Sequence, residues 1–367
     1  MAAILYAGIV PLDFHPRNEV RWLDPGPGLE FDGRGIAYSD APLIWEPHAR
    51  GGEVSVELWI RPSREPDARL GQIFSFFDGD ATEPLLVAQW KSGLVIRNRI
   101  PERNAGRRYR ELGSLGLAFR GHPLMVGLVS GPAGTSLYVD GRDTGHRSNI
   151  PIISDDERFG GRLVLGNSAS GTAPWQGELL GVAIYRRTLT ASEVASHYEV
   201  ANTGGIASLA GVNGLAALYP FAERSGESAE SSGTAGPALR VPLEFRRLRT
   251  PILQLPNFRE RSVDSYGGDA LLNFVGFAPL GFFLAAVLRR RDRSAAIGIV
   301  AVGFCLSLAI ESIQVQLPAR VSSSTDLLWN TLGTGAGVWF ALYGPSAVRV
   351  AQDRPTAADD GPANPAV

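Results

Sequence analysis

The chain is poor in cysteine, lysine and histidine, and neither charge predominates. A single cysteine, Cys305, excludes any intrachain disulfide. The five histidines, at 15, 48, 122, 146 and 197, are scattered and never fall at zinc-ligand spacing. With 35 basic and 37 acidic side chains, the formal net charge is −2. That argues against a nucleic-acid partner, because such binders carry a basic face. Lys91 is the only lysine, and every other cationic side chain apart from histidine is arginine. We read this as a bias of genomic composition, not of chemistry.

Glycine (43) and proline (25) are abundant over 367 residues and show no collagen-like period, which suits many short strands joined by turns. The length exceeds one ordinary domain. A mean hydropathy near zero conceals two unlike halves. Residues 24–245 are polar, turn-rich and strand-like. From Gly268 to Tyr343 the chain is dominated by long apolar runs that carry almost no charge.

Three apolar runs lie in the second half: Ala270 to Leu288, Ala295 to Ile313 and Leu327 to Tyr343. A helix of about 20 residues crosses a hydrocarbon core of roughly 30 Å, so each is a candidate membrane span. Their many small residues suit helix packing in lipid. The opening stretch MAAILYAGIVPL (1–12) is also apolar. As a helix it would reach only about 18 Å, and it lacks the basic start and cleavage site of a signal peptide. We expect residues 1–23 to be a partial or trimmed first membrane helix, 246–267 a linker and 346–367 a disordered tail. The basic loop Arg289-Arg290-Arg291-Asp292-Arg293 is expected to stay in the cytoplasm. That places Arg320 and the 24–245 domain on the outer side. Arg246, Arg247, Arg249, Arg259 and Arg261 run against this, but long translocated segments obey the charge rule weakly.

In the first half, Val54, Val56, Leu58 and Ile60 alternate with Ser55, Glu57, Trp59 and Arg61 before Pro62, the pattern of a half-buried strand. Further strands are expected at Ile73–Phe77, Leu85–Trp90, Leu94–Asn98, Leu124–Val129, Ser136–Val139, Arg162–Leu165 and Leu179–Tyr185. Asp140-Gly141 marks a hairpin turn. Many short strands with no helices between them indicate a β-sandwich. Thr190 and Glu193 have the spacing of a capping box opening one helix.

The segments GLEFDGRGIAYS (28–39), VSVELWIRPS (54–63), SLYVDGRDTG (136–145), LVLGN (163–167), WQGELLGVAIYRRTLTASEVASHYE (175–199) and ALYPFAERSG (217–226) resemble the laminin-G-like, concanavalin A-like jelly roll. The resemblance implies two stacked antiparallel sheets over about 24–245. It also implies a domain that binds a glycan, an envelope polymer or a protein, without implying catalysis. A glycosidase needs paired carboxylates, and Glu53 and Glu57 stand alone on one strand. Asp78-Gly79-Asp80 is an acidic turn that could contribute oxygen ligands to calcium, or be an ordinary solvated turn. Trp45, Trp90 and Trp175 could stack on sugar rings or fill the sandwich core.

In the second half the polar residues fall where the three runs meet their outer loops. Asp269 and Asn273 stand at i, i+4, Glu311 and Gln314 at i, i+3, and Asp326 and Asn330 at i, i+4. Arg320 lies in the connecting loop, and Ser322-Ser323-Ser324 can cap the third run. Ionisable groups near hydrocarbon usually pair or line a cavity. Asp269, Asn273, Phe277, Pro279 to Phe282, Glu311-Ser312-Ile313-Gln314, Arg320 and Thr325-Asp326 to Asn330-Thr331-Leu332-Gly333 resemble the VanZ-like family in order and spacing over about 265–345. YAGIVPLDF (6–14) is similar to the end of that family's first helix. The resemblance implies a multi-pass protein of the bacterial cytoplasmic membrane, with the sandwich inserted after its first helix.

The expected function is therefore a cell-envelope membrane protein. The polar cluster would take a lipid or lipid-linked headgroup, with Arg320 suited to phosphate or carboxylate. The alternative is an intramembrane enzyme with Glu311 or Asp326 as general acid or base. Against it, no histidine or cysteine lies near the cluster. A transporter is disfavoured by the small number of helices and the lack of an internal repeat. Beyond calcium, no cofactor is implied.

Overall fold

The computed structural model describes residues 12–45, 52–63, 70–80, 82–99, 109–116, 122–153, 158–255, 263–288, 292–318 and 320–344, together with Tyr6 and Val10. The expectations for most of 1–11, for Arg259, Arg261 and Arg289–Arg291, and for the tail after 345 lie outside the described residues. The chain forms two compact units, Asp13–Thr250 and Met1–Leu12 with Pro251–Val367.

The first unit is built from seventeen strands among the described residues. They are β1 (Val20–Trp22), β2 (Leu29–Asp32), β3 (Ala37–Ser39), β4 (Leu43–Trp45), β5 (Val54–Pro62) and β6 (Gly71–Phe77). Then come β7 (Leu85–Trp90), β8 (Gly93–Arg99), β9 (Tyr109–Gly116), β10 (Leu124–Gly131), β11 (Gly134–Val139) and β12 (Arg142–Ser148). After these follow β13 (Phe159–Leu165), β14 (Gln176–Tyr185), β15 (Leu215–Tyr219), β16 (Ser228–Ala229) and β17 (Leu239–Arg240). One sheet runs β1-β2-β14-β5-β10-β11-β12, with β15 also on β14. The other runs β16-β17-β3-β13-β6-β7-β8-β9, with β4 also on β13. Neighbouring strands are antiparallel. The seven strands expected by range after Val54 all form, most of them a residue or more longer. Asp140 and Gly141, both at positive φ, make the two-residue β11–β12 turn between Val139 and Arg142.

Inward-facing residues of both sheets, among them Val56, Leu58, Phe74, Phe76, Leu128, Leu163 and Val182, make one core. The strand β5 differs from expectation, since its second face is buried too: only Arg61 is even half-exposed. The cause is a helix, α1 (Ala191–Gly204), whose capping box Thr190–Glu193 forms. Helix α1 and the turn after it cover that face, and Trp59, Met125, Tyr185, Val194 and Leu218 form a second core there.

The sandwich is wider than 24–245 and takes in residues expected to belong to a first helix. Buried Asn18 explains the N-terminal extension. Its amide donates to the carbonyls of Ile36 (3.0 Å) and Pro242 (2.8 Å), and its oxygen accepts the Ile36 N–H (2.9 Å). An amide that satisfies two buried backbone groups and a partly buried one anchors the chain there.

The second unit contains α2 (Val263–Leu288), α3 (Arg293–Gln314) and α4 (Ser324–Tyr343). Two helical stretches, Gly267–Leu288 and Arg293–Gln314, are long and apolar enough to cross a membrane. The third expected span forms as α4 but is less apolar, because Ser324, Thr325, Asp326, Asn330, Thr331 and Thr334 interrupt it. Helices α2 and α4 approach so closely that a β-carbon at Gly337 would run into the Ala278 carbonyl. The outward faces keep Leu272, Phe283, Val287, Ile297, Leu328 and Trp339 exposed. Such a continuous apolar surface calls for an apolar surrounding.

Candidate functional site

The end of α3 and the start of α4 hold the polar residues of the helical unit. Glu311 is 1% exposed. Its carboxylate accepts the Ser323 N–H at 2.7 Å, and the Ser322 hydroxyl is also within reach. Ser323 is the N-cap of α4, yet its own side chain makes no cap bond. The serine cap expected from the sequence is thus replaced by a carboxylate from the neighbouring helix. The reason is physical: the N–H groups of a helix start lack intrahelical partners, and a carboxyl oxygen supplies an acceptor.

Residues just ahead of α2 close over this cap. Gln254 N–H donates to the Ser322 carbonyl (2.9 Å), and the Gln254 carbonyl accepts from Ser324 N–H (3.1 Å) and Ser324 Oγ (3.0 Å). Leu253 N–H donates to Ser322 Oγ at 3.0 Å. The guanidinium of Arg320 donates to the Val10 carbonyl, which brings Val10 to the same end of the unit.

Asp326 lies within electrostatic reach of Glu311. Gln314 is buried beside the end of α3. Asn330 is buried one turn deeper than Asp326, and its Nδ2 donates to Ser307 Oγ at 2.9 Å, joining α4 to α3. Asn273 is half-buried and Asp269 exposed on α2. The structure therefore gathers Glu311, Gln314, Arg320 and Asp326 at one end and sets Asn330 deeper as a helix–helix bond. Sequence reasoning missed Val10, Leu253 and Gln254, because they contribute backbone groups that carry no residue signature.

In the sandwich, Asp78 and Asp80 share one guanidinium, with Arg99 Nη1 at 2.6 Å and 3.2 Å from their Oδ2 atoms. Among the described residues, no three His, Cys, Asp or Glu side chains come together as a metal site. Trp45 and Trp175 are core residues, 3% and 2% exposed, and cannot stack on a sugar. Trp45 packs edge-on to Phe76 and Phe159, and Trp175 Nε1 donates to Gln89 Oε1 at 2.7 Å. Trp90 is 50% exposed.

A second polar group escaped the sequence reading. Glu57, Tyr185 and His197 meet beneath α1, all buried. Tyr185 Oη donates to Glu57 Oε2 at 3.0 Å, and the ring stacks on His197 at 5.4 Å between centroids. Burial pushes the Glu57 carboxyl up despite the hydrogen bonds and charge of His197, and pushes the Tyr185 phenol up. The period-two pattern of β5 shows where Glu57 points, but nothing in the pattern reveals that a helix 140 residues later would cover it.

Residues 209–344 match the family described as VanZ/LLP1, and residues 37–195 match the concanavalin A-like lectin/glucanases superfamily. The first match begins inside the sandwich, ahead of the helices. No curated protein matches the chain. Among solved structures, the botulinum neurotoxin serotype D binding domain is similar at 12% identity and a TM-score of 0.35, over 50% of this chain and 45% of that one. The Trypanosoma rangeli sialidase is similar at 15% identity and a TM-score of 0.36, over 52% of this chain and 30% of that one. The chain thus spans less than half of either. Taken with the paired antiparallel sheets and the apolar helices, the family matches show that this chain carries a concanavalin A-like domain followed by a VanZ-like domain.

Proposed function

We propose that the protein is a multi-pass protein of the bacterial cytoplasmic membrane that presents two binding elements on the outer side. The polar end of the helical unit binds a lipid or lipid-linked headgroup. The sandwich binds a glycan, an envelope polymer or a protein. The observation that carries the reading is the gathering of Glu311, Gln314, Arg320 and Asp326 at one end of helices whose other faces are apolar. Arg320 offers a planar fork suited to phosphate or carboxylate, and the acids and amide suit hydroxyls. Polar groups held at that depth usually line a path or a site. Membrane placement is supported by the two long apolar helices and by the exposed apolar faces of all three. The basic run at 289–293 supports the orientation.

A second reading, an intramembrane enzyme, draws on the closeness of Glu311 and Asp326, since paired carboxylates can divide acid and base roles. One experiment separates the two. The full chain is purified from membranes, and the lipids it retains are identified by mass spectrometry, alongside Arg320→Ala and Glu311→Gln. The binding reading expects an anionic or sugar-linked lipid that Arg320→Ala loses. Identical lipid content in all three proteins contradicts it. A retained lipid that is chemically altered only by proteins with both carboxylates supports the enzyme.

A further inference from the structure

The far end of the helical unit contains a different feature. A cleft of about 610 Å³ opens between α3 and α4. Its walls are Ile297, Val300 and Phe304 of α3, with Gly335, Val338 and Trp339 of α4. The volume falls in the range of roughly 300–1,000 Å³ typical of ligand sites. Gly335 leaves the floor open: a β-carbon there would find its nearest neighbour, Val300 Cγ2, only at 3.9 Å. By contrast, Gly337, two residues on, is closed by backbone.

Two features define what fits. The first is length. From Arg293 to Phe304 the cleft follows about 16 Å of helix at 1.5 Å per residue. That is about half of a hydrocarbon core of roughly 30 Å, or one leaflet. A membrane-spanning helix needs the full thickness, whereas an acyl chain needs one leaflet. The second is charge. Asp292 and Arg293 stand at the mouth, and in the sequence they follow directly on Arg289, Arg290 and Arg291, four cations to one anion over the five residues. Ser294 Oγ donates to Asp292 Oδ2 at 2.5 Å, so the acid is engaged by its own helix start. Trp339 and Tyr343, both exposed, bring aromatic rings toward the same mouth, as is common at a headgroup boundary. Basic pockets between helices at that boundary suit anionic headgroups.

We propose that this cleft holds an acyl chain of an anionic phospholipid from the leaflet on the Arg293 side, with the headgroup beside Arg293. The site is separate from the polar cluster around Glu311, and it rests on the reading of the helical unit as a membrane domain.

The test uses the full chain in phosphatidylcholine vesicles containing a minor fraction of dibrominated phosphatidylglycerol or, separately, dibrominated phosphatidylcholine. Bromine quenches nearby tryptophan, and the difference between the native protein and Trp339→Phe isolates Trp339. Brominated phosphatidylglycerol should quench Trp339 at about a five-fold lower mole fraction than brominated phosphatidylcholine, as one or more arginines at the surface would give. Arg293→Gln should weaken that preference. Gly335→Leu, which fills the cleft with a strong helix former, should remove the quenching while the helix content is kept. Equal quenching by both lipids, or quenching unchanged in Gly335→Leu, overturns the proposal. So does a preference that arises only after residues 1–9 are deleted, because the N-terminal segment would then be the occupant. Failure of the protein to float with vesicles would instead overturn the membrane reading itself.

Discussion

His197 Nδ1 lies 3.0 Å from Glu57 Oε1, and both side chains are buried between β5 and α1. This pair sits on the face of the sheet that sequence periodicity assigns to solvent. It makes the packing of α1 depend on ionisation. Because burial raises the Glu57 carboxyl above its ordinary value of about 4.3, the folded domain keeps a proton that the unfolded chain has released. The stabilisation is fully present below that ordinary value and is lost as pH rises through the folded value. Glu57→Gln should therefore flatten the dependence of stability on pH above about 4.3. Denaturant melts at several pH values check this, and an unchanged slope contradicts it.

The start of α1 should respond in the opposite sense. Glu193 N–H donates to Thr190 Oγ1 at 3.2 Å, and Thr190 N–H donates to Glu193 Oε2 at 2.8 Å. The Arg187 hydrogen bond, followed by the Thr190 N–H, holds the Glu193 carboxyl down at about 2. Its contribution is present above the ordinary glutamate value and is lost as pH falls toward about 2. Thr190→Ala should cost about 1 kcal/mol at neutral pH. Thermal melts of native and variant protein measure it.

Residues 13–250 should fold alone as a soluble, strand-rich domain, whereas 24–245 should be markedly less stable. The shorter piece lacks β1 and Asn18, leaving the Ile36 N–H and the carbonyls of Ile36 and Pro242 without their buried partner. Each such loss costs about 1–3 kcal/mol. Circular dichroism and urea melts of both fragments decide the matter. Equal stability would show that the N-terminal extension is ornamental.

Two glycines on α4 should behave oppositely. Gly337→Ala forces a methyl group into the Ala278 carbonyl and should loosen α2 from α4, at about 1–3 kcal/mol for overpacking. Gly335→Ala meets nothing closer than 3.9 Å and should be neutral or gain up to about 1 kcal/mol from helix propensity. Melting of the detergent-solubilised full chain compares them.

Much of the architecture could be read in advance because it rests on local periodicity and turn chemistry. The alternation in β5, the Asp140-Gly141 turn and the Thr190–Glu193 box each encode their own geometry within a few residues. The three helices were likewise legible from apolar run length. What could not be read depends on contacts distant in sequence. Asn18 reaches Pro242, Glu57 reaches His197, and Asp78 and Asp80 meet Arg99, with no local pattern announcing any of them. The polar residues near Glu311 were found because charge amid hydrocarbon stands out. The backbone groups of Val10 and Gln254 that complete the same end have no such contrast.

The helical unit is proposed to span a membrane with its polar end outward. Single cysteines placed at 291 and at 320 in a Cys305→Ser background, probed in intact cells with a membrane-impermeant thiol reagent, test it most directly. Labelling is expected at 320 in intact cells, and at 291 only after the cells are opened. Labelling of 291 but not 320 in intact cells would reverse the orientation, and equal labelling of both would contradict the span itself.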